Sequence, residues 1–494
     1  VDLSTVDIPA ETIALLPPKL VHRKRTIPIR RENGHLVVAT SDPFDLYTFD
    51  EIRLLAGCEV EVMLATREEI DKIIRKHYGV GGDTVGDMVS GDEIEIEAES
   101  TDLLDQAQEA SVIKLVNEIF LEAINERASD IHIEPYENGM SIRYRIDGVL
   151  QEASLPPQID RFRNAIVSRI KIMAHLNIAE KRLPQDGRID MKVGGRQIDV
   201  RVSVIPMLFG EGIVMRILDK SQVLFTLPEL GMAKDDFSRF ETLIKRPHGI
   251  ILVTGPTGSG KTTTLYASLQ AIVSPELKVI TVEDPVEYHL HMINQIQTKP
   301  EIGMTFARGL RAILRHDPDV VMIGEIRDLE TAEAAIQAAL TGHLVFSTLH
   351  TNDACSAATR LLDMGVEPFL VTSTLTSAMA QRLVRTICAD CREEYTPQRD
   401  DLPADFPYEE GMTLFRGKGC KKCHNTGYRG RRGIFELWTL SDATRELIMA
   451  RASAEAITKQ AEDEGIRLLR IDGWRIVTEG ITTPEEISRV TNIA

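Results

Sequence analysis

Ile250-Ile-Leu-Val-Thr-Gly255-Pro-Thr-Gly-Ser-Gly-Lys-Thr262 joins a short, wholly apolar run to a GxxxxGK[ST] loop. The run has the length and composition of a strand buried on both faces of a parallel sheet, and a helix is expected from the lysine onward. Each residue type has a physical task. Glycines let backbone N–H groups close round phosphate oxygens, the helix N-terminus adds a favourable dipole, Lys261 reaches the outer phosphates and Thr262 ligates Mg²⁺. Gly255, Pro256, Thr257, Gly258, Ser259, Gly260, Lys261, Thr262 and Thr263 are therefore the expected nucleotide-binding set. A chance glycine-rich turn is the bland alternative, which the strand and helix context disfavours.

Further apolar runs of the same kind follow at Val279–Val282, Val320–Ile323 and Leu344–Phe346, separated by helical segments. They make 227–494 an α/β domain with a parallel sheet, whose ligands belong beyond the carboxyl ends of its strands. Reactive residues stand there: Glu283, Asp284 and Glu287 after the second run, Glu325, Arg327 and Asp328 after the third, and His350 after the fourth. Phosphoryl transfer to water needs a carboxylate to orient the nucleophile and a cation or sensor near the γ-phosphate. Glu287 or Glu325 suits the first task and His350 the second. Taken singly, each is as readily a helix cap, an ion-pair partner or a structural histidine. The Asp that ordinarily closes a Walker B run is absent, Gly324 preceding Glu325, so magnesium would rely on Thr262, the phosphates and water.

The remainder of the 494 residues bounds the reading. A net charge of −18 gives no generic basic face for nucleic acid. No stretch reaches the roughly 18 uninterrupted apolar residues of a membrane span, and no basic-then-apolar leader opens the chain, so a cytoplasmic location is expected. Residues 1–80 read as a small α+β module. From Asp83 to Ala110 there are ten acidic residues and no Lys or Arg, so 81–110 reads as a flexible linker, with an exposed helix as the alternative for its last dozen residues. Residues 111–226 read as a second α+β domain. It opens on a helix capped by Ser111, and its strands alternate, as in Ile142, Tyr144 and Ile146 against Arg143, Arg145 and Asp147, around a Gly194-Gly195 hairpin turn. Its sheet should carry one wet, arginine-bearing face.

Two arginine sets could neutralise transition-state charge: Arg308, Arg311 and Arg315 on the helical stretch Phe306–His316, and Arg201 with Arg216 on predicted strands. Pattern alone equally allows a solvated or salt-bridged face for both. Cys388-Ala-Asp-Cys391 and Cys420-Lys-Lys-Cys423, separated by 28 residues, have metal-type spacing. Four sulfurs in a tetrahedron form a closed, structural Zn²⁺ site. His424 is an alternative ligand, and the segment 384–434 reads as a zinc-binding insertion, with 435–494 as C-terminal helices.

These stretches together resemble the assembly ATPases of type II secretion systems and type IV pili, members of the wider secretion-ATPase superfamily. The resemblance runs from about Ser111 to the C-terminus. Besides the loop already quoted, it rests on Ala128-Ser-Asp-Ile-His-Ile-Glu134, Glu180-Lys-Arg-Leu-Pro-Gln-Asp-Gly187, Thr281-Val-Glu-Asp-Pro-Val-Glu287, Gly324-Glu-Ile-Arg-Asp328, the surroundings of His343 and His350, and the cysteine quartet. Retraction ATPases lack such a cysteine insertion, which favours the assembly, or extension, branch. The resemblance implies a homo-hexameric ring of RecA-like domains preceded by PAS-like domains, with ATP between the two. It also implies hydrolysis coupled, through the cytoplasmic parts of an inner-membrane platform protein, to assembly of pilin-like subunits. On this likeness Arg201 and Arg216 match arginines that reach the phosphates, Glu287 and Glu325 the catalytic carboxylates, and Arg311 and Arg315 further basic residues of the site. Gly212 departs from the Arg or Lys usual at its place, and residues 1–80 resemble only the later part of the family's first domain. Secretion is favoured over pilus assembly by 180–220. A nucleic-acid translocase and a nucleotide-binding scaffold without turnover are the rival readings.

Overall fold

The computed structural model describes residues 8–78 except 14 and 33, 101–153, 157–193, 196–219 and 225–491. The chain divides into two compact units, Val1–Ser221 and Gln222–Ala494.

In the first unit, β1 (Thr26–Glu32), β2 (His35–Thr40) and β3 (Glu59–Leu64) form a three-stranded sheet, antiparallel between β1 and β2 and parallel between β2 and β3. The helix Leu46–Ala56 starts where Asp45 accepts the Thr48 amide and stops at Gly57, whose φ of 63° suits a residue without Cβ. It and the helix Arg67–Tyr78 bury Phe49, Ile52, Ile70 and Ile74 against Ile27 and Val38.

A 25-residue helix, Thr101–Asn125, follows. Ser111 therefore lies inside a helix and caps nothing, and residues 101–110 follow the alternative given for the last dozen residues of the linker and are helical. The reason is local: between Thr101 and Asn125 no Gly or Pro interrupts a sequence rich in Leu, Ala, Glu and Gln. The rest of the expected linker, 81–100, lies outside the described residues, as does the Gly194-Gly195 turn. Six antiparallel strands follow: β4 (Asp130–Tyr136), β5 (Gly139–Ile146), β6 (Val149–Glu152), β7 (Gln185–Val193), β8 (Arg196–Met207) and β9 (Gly210–Asp219), in the spatial order β6-β5-β4-β9-β8-β7. The helices Thr101–Asn125 and Arg163–Met173 cover one face, where Leu115, Phe120 and Ile166 meet Ile131, Ile198 and Val200. Period-2 alternation sends the intervening polar residues to the other face.

The second unit is built on a seven-stranded sheet, ordered β12-β11-β13-β14-β10-β15-β18. Its strands are β10 (Gly249–Thr254), β11 (Val279–Glu283), β12 (Ile293–Gln297), β13 (Val320–Ile323), β14 (Leu344–Leu349), β15 (Leu375–Ile387) and β18 (Tyr428–Thr439). All pairings are parallel except β15 with β18. Every residue of β10 is buried. Ile250 and Leu252 belong to one core and Ile251 and Val253 to another, so both faces of the sheet are covered. Between β15 and β18 a two-stranded sheet, β16 (Arg392–Tyr395) and β17 (Leu414–Gly417), accompanies the cysteines. Four helices close the chain, from Asp442 to Thr491. Among the described residues no helix is long and apolar enough to cross a membrane.

Candidate active site and metal centre

At the end of β10 the chain turns through Gly255–Gly260 into the helix Lys261–Ile272. Gly258 and Gly260 adopt φ of 79° and 89°, the left-handed region. At Gly260 a side chain is excluded twice over, because a Cβ would lie 2.8 Å from Gln381 Nε2. Lys261 Nζ curls over the loop, donating to the Gly255 carbonyl at 2.7 Å and the Pro256 carbonyl at 3.0 Å. Burial disfavours its ammonium and pushes the pKa down to about 8, partly countered by Glu325. Thr262 is exposed in the first helical turn, so its hydroxyl is available to a cation.

Two exits from the sheet converge next to this loop. The Ile326 amide donates to the Thr348 carbonyl at 3.0 Å and Thr348 Oγ1 to the Gly324 carbonyl at 2.7 Å, which stitches the end of β13 to the end of β14. Glu325 and His350 are thereby brought together, with 3.4 Å between Oε2 and Nε2, while Arg327 donates to Oε1 at 2.5 Å. Burial alone would raise the Glu325 pKa, but the bonds from Arg327 and His350 outweigh it and hold the carboxyl below its usual range. It is an anion at neutral pH, fitted to orient a water more than to remove its proton. Asp328 takes the structural option, accepting the Thr331 amide at 2.8 Å as the cap of Leu329–Leu340.

Glu287 sits in the loop after β11, its amide donating to the Tyr266 hydroxyl at 3.3 Å. Tyr266 also hydrogen-bonds Glu283, which takes Thr281 Oγ1 at 2.5 Å and Gln295 Nε2 at 3.0 Å, so Glu283 is a buried tie within the fold. Arg311 pairs with Glu330 at 2.6 Å, and Arg315 donates to the Arg311 carbonyl at 2.8 Å. The helix ends at Ile313, so Arg315 lies beyond it and the expected stretch to His316 is shortened as its last turn tightens to i−3 bonds. In the first unit, Arg201 on β8 and Arg216 on β9 are directly paired in register.

Sequence reasoning missed Gln381 and Arg382 on β15. Gln381 Oε1 accepts from Thr264 Oγ1 at 2.7 Å, backing the phosphate loop, and Arg382 donates to the Asn352 carbonyl at 2.9 Å. Glu436 on β18 accepts the Ala354 amide at 2.8 Å and the Leu469 amide at 3.1 Å, and burial pushes its pKa up to about 7. The loop carrying His350 is thus fastened from two strands. A Gln-Arg pair in an apolar run is a weak signal, because its partners lie far off in sequence.

The cysteine quartet passes a geometric test for a metal. A tetrahedron with arms of about 2.3 Å has edges of about 3.8 Å. The sulfur separations are 3.8 Å for Cys388–Cys420, 3.8 Å for Cys391–Cys423 and 3.7 Å for Cys420–Cys423. All four lie within 4.8 Å of one another, and the cluster is the only such group among the described residues. The Cys420 amide donates to Cys423 Sγ at 3.2 Å, as thiolate ligands favour.

A strand, GxxxxGK[ST] loop and helix on a parallel sheet covered on both faces, with a charged carboxylate at a nearby strand exit, define a P-loop nucleoside triphosphatase. The profile of the type II/IV secretion system protein family matches residues 105–489, that of the MshEN domain matches 1–84, and the chain belongs to the type II/IV secretion system protein family. It is 44% identical to the type IV pilus assembly ATPase PilB of Myxococcus xanthus, over 99% of this chain and 88% of that protein. With the type II secretion system ATPase E of Vibrio cholerae it shares 54% identity, over 80% of this chain and 78% of that one. The crystal structure of the pilus retraction motor PilT with bound ADP covers 76% of this chain and 96% of its own, with TM-score 0.50 and 26% identity. The ATPase DotB of Legionella pneumophila has TM-score 0.55 at 20% identity, covers 76% of this chain and 94% of its own, and shares the fold.

Proposed function

We propose that this chain is the ATP hydrolase of a type II secretion system, using the free energy of ATP to drive assembly of pilin-like subunits. The observation that carries the mechanism is the Glu325 carboxylate, ionised and held between Arg327 and His350 at the strand exit beside the Lys261 loop. In this reading Glu325 or Glu287 orients the attacking water, Lys261 and the loop amides hold the β- and γ-phosphates, and Thr262 holds Mg²⁺. Arg201 and Arg216 neutralise equatorial charge, His350 senses the γ-phosphate, and Arg311 and Arg315 contribute as further basic groups. The metal in the cysteine quartet is Zn²⁺, a structural clamp with no open coordination position.

The same reading assigns a small N-terminal module (1–80), a linker (81–110), a PAS-like domain (111–226) and a RecA-like ATPase domain (227–494). It takes the working form to be a homo-hexamer at the cytoplasmic face of the inner membrane, bound there through platform proteins and not to nucleic acid. Mg²⁺-dependent ATP hydrolysis by the full chain and by Glu325→Gln tests the core of it. Near-normal turnover by the variant removes Glu325 from the mechanism. Pilus assembly is the second reading, favoured by the long match to PilB. Complementation of a secretion mutant against a pilus mutant separates the two.

A further inference from the structure

Strand register in the first unit places five side chains in one row across four antiparallel pairings: Arg188 opposite Arg201, Arg201 opposite Arg216, Arg216 opposite Asp130, and Asp130 opposite Arg145. Their neighbours along each strand, Ile189, Val200, Met215, Ile131 and Tyr144, are core residues, so the row lies on the polar face. Like charges directly opposite in a sheet repel, and three consecutive arginines are an unfavourable choice for stability alone. The row holds a single carboxylate. Asp130 is buried, and Arg216 donates to it through Nε at 3.0 Å, while the other carboxylate oxygen takes Ser129 Oγ at 2.7 Å and faces Arg145 Nε at 3.8 Å.

An Nε contact holds the guanidinium plane from its side and leaves the end-on pair of N–H groups, one from each Nη, directed away from the carboxylate as the fork that grips a phosphate in bidentate fashion. Arg216 keeps 53% of its side chain exposed, so that fork faces outward. We propose that Asp130 is a positioning residue: it orients Arg216 so that both Nη groups meet a polyphosphate, and it offsets the repulsion between Arg216 and its neighbours. The inference rests on the reading that Arg216 serves the nucleotide.

A double-mutant cycle on the full chain tests it, with kcat/KM for ATP and thermal melting measured for Asp130→Ala, Asp130→Asn, Arg216→Ala and the combination Asp130→Ala with Arg216→Ala. The expected loss for Asp130→Ala is about tenfold in kcat/KM, the size for removing one partner of a charge-assisted bond. Asp130→Asn, which keeps the shape and an acceptor oxygen, should fold like the parent and lose less. In the Arg216→Ala background, removing Asp130 should cost nothing more. Losses that multiply independently would overturn the proposal, as would an unchanged kcat/KM in both Asp130 variants while Arg216→Ala is impaired. Full activity of Arg216→Ala would instead overturn the underlying assignment of Arg216, and the positioning role with it.

Discussion

The phosphate loop and the arginine row both concentrate positive charge, but by opposite means. In the loop the charge comes from backbone amides and one lysine within eight consecutive residues, and the glycines that shape it are written side by side. In the row it comes from arginines on four strands, aligned only by pairing, with Arg216 and its carboxylate partner 86 residues apart. Local spacing builds the first and tertiary register the second. The cysteine quartet is intermediate: each CxxC is local, and pairing of β15 with β18 brings the two together.

Four measurements test this contrast. The largest effect is expected from metal removal, since a structural zinc site contributes on the order of 10 kcal/mol to its own fold. A strong chelator should release one Zn²⁺ per chain and sharply lower the melting temperature; finding no bound metal in the purified protein would end that assignment. Next, Lys261→Ala should reduce ATP turnover by about a thousandfold, as losing a preorganised cation at the γ-phosphate does. Turnover within a few-fold of the parent would deny the local cradle its primacy. Arg216→Lys keeps the charge but loses the planar fork, and a reduction of about tenfold in kcat/KM is expected. If the lysine variant matches the parent, the row acts only as diffuse charge.

The smallest effect is a pH dependence. With the Lys261 pKa near 8, the cationic fraction of the nucleotide-free site falls above that pH, and since the neutral amine still donates a hydrogen bond, ATP affinity should weaken by about a few-fold across the titration. Lys261→Arg should flatten the bend, and a pH-independent affinity between about 7 and 9.5 would contradict the half-buried ammonium. Stability without nucleotide runs the other way. The folded pKa of about 8 lies below the ordinary 10.5, so the unfolded chain binds more protons in that window and stability rises with pH across it.

The contrast also explains what could be read from residues alone. Ile250–Thr262 disclosed its strand, turn and helix because each step has a short-range signature, and the positions of Glu325 and His350 just past strand ends were legible from the apolar runs before them. The wet arginine face of the second sheet was legible from alternation, yet which arginines align was not, because register depends on six strands at once. Arg188 and Asp130 stayed hidden for that reason. Ser111 misled because a good cap residue in mid-helix carries no mark against it when nothing upstream breaks the helix. Gln381 and Arg382 sit in a strand that otherwise reads as interior, and only the close approach of Gly255 and Gly260 reveals them.

One consequence follows from the split allegiance of β10, whose successive side chains enter different cores. Such a strand cannot slide toward either layer without opening a void in the other. Amide protons along Ile250–Val253 should accordingly be among the slowest to exchange with deuterium, marking the strand as the fixed keel that carries the phosphate loop.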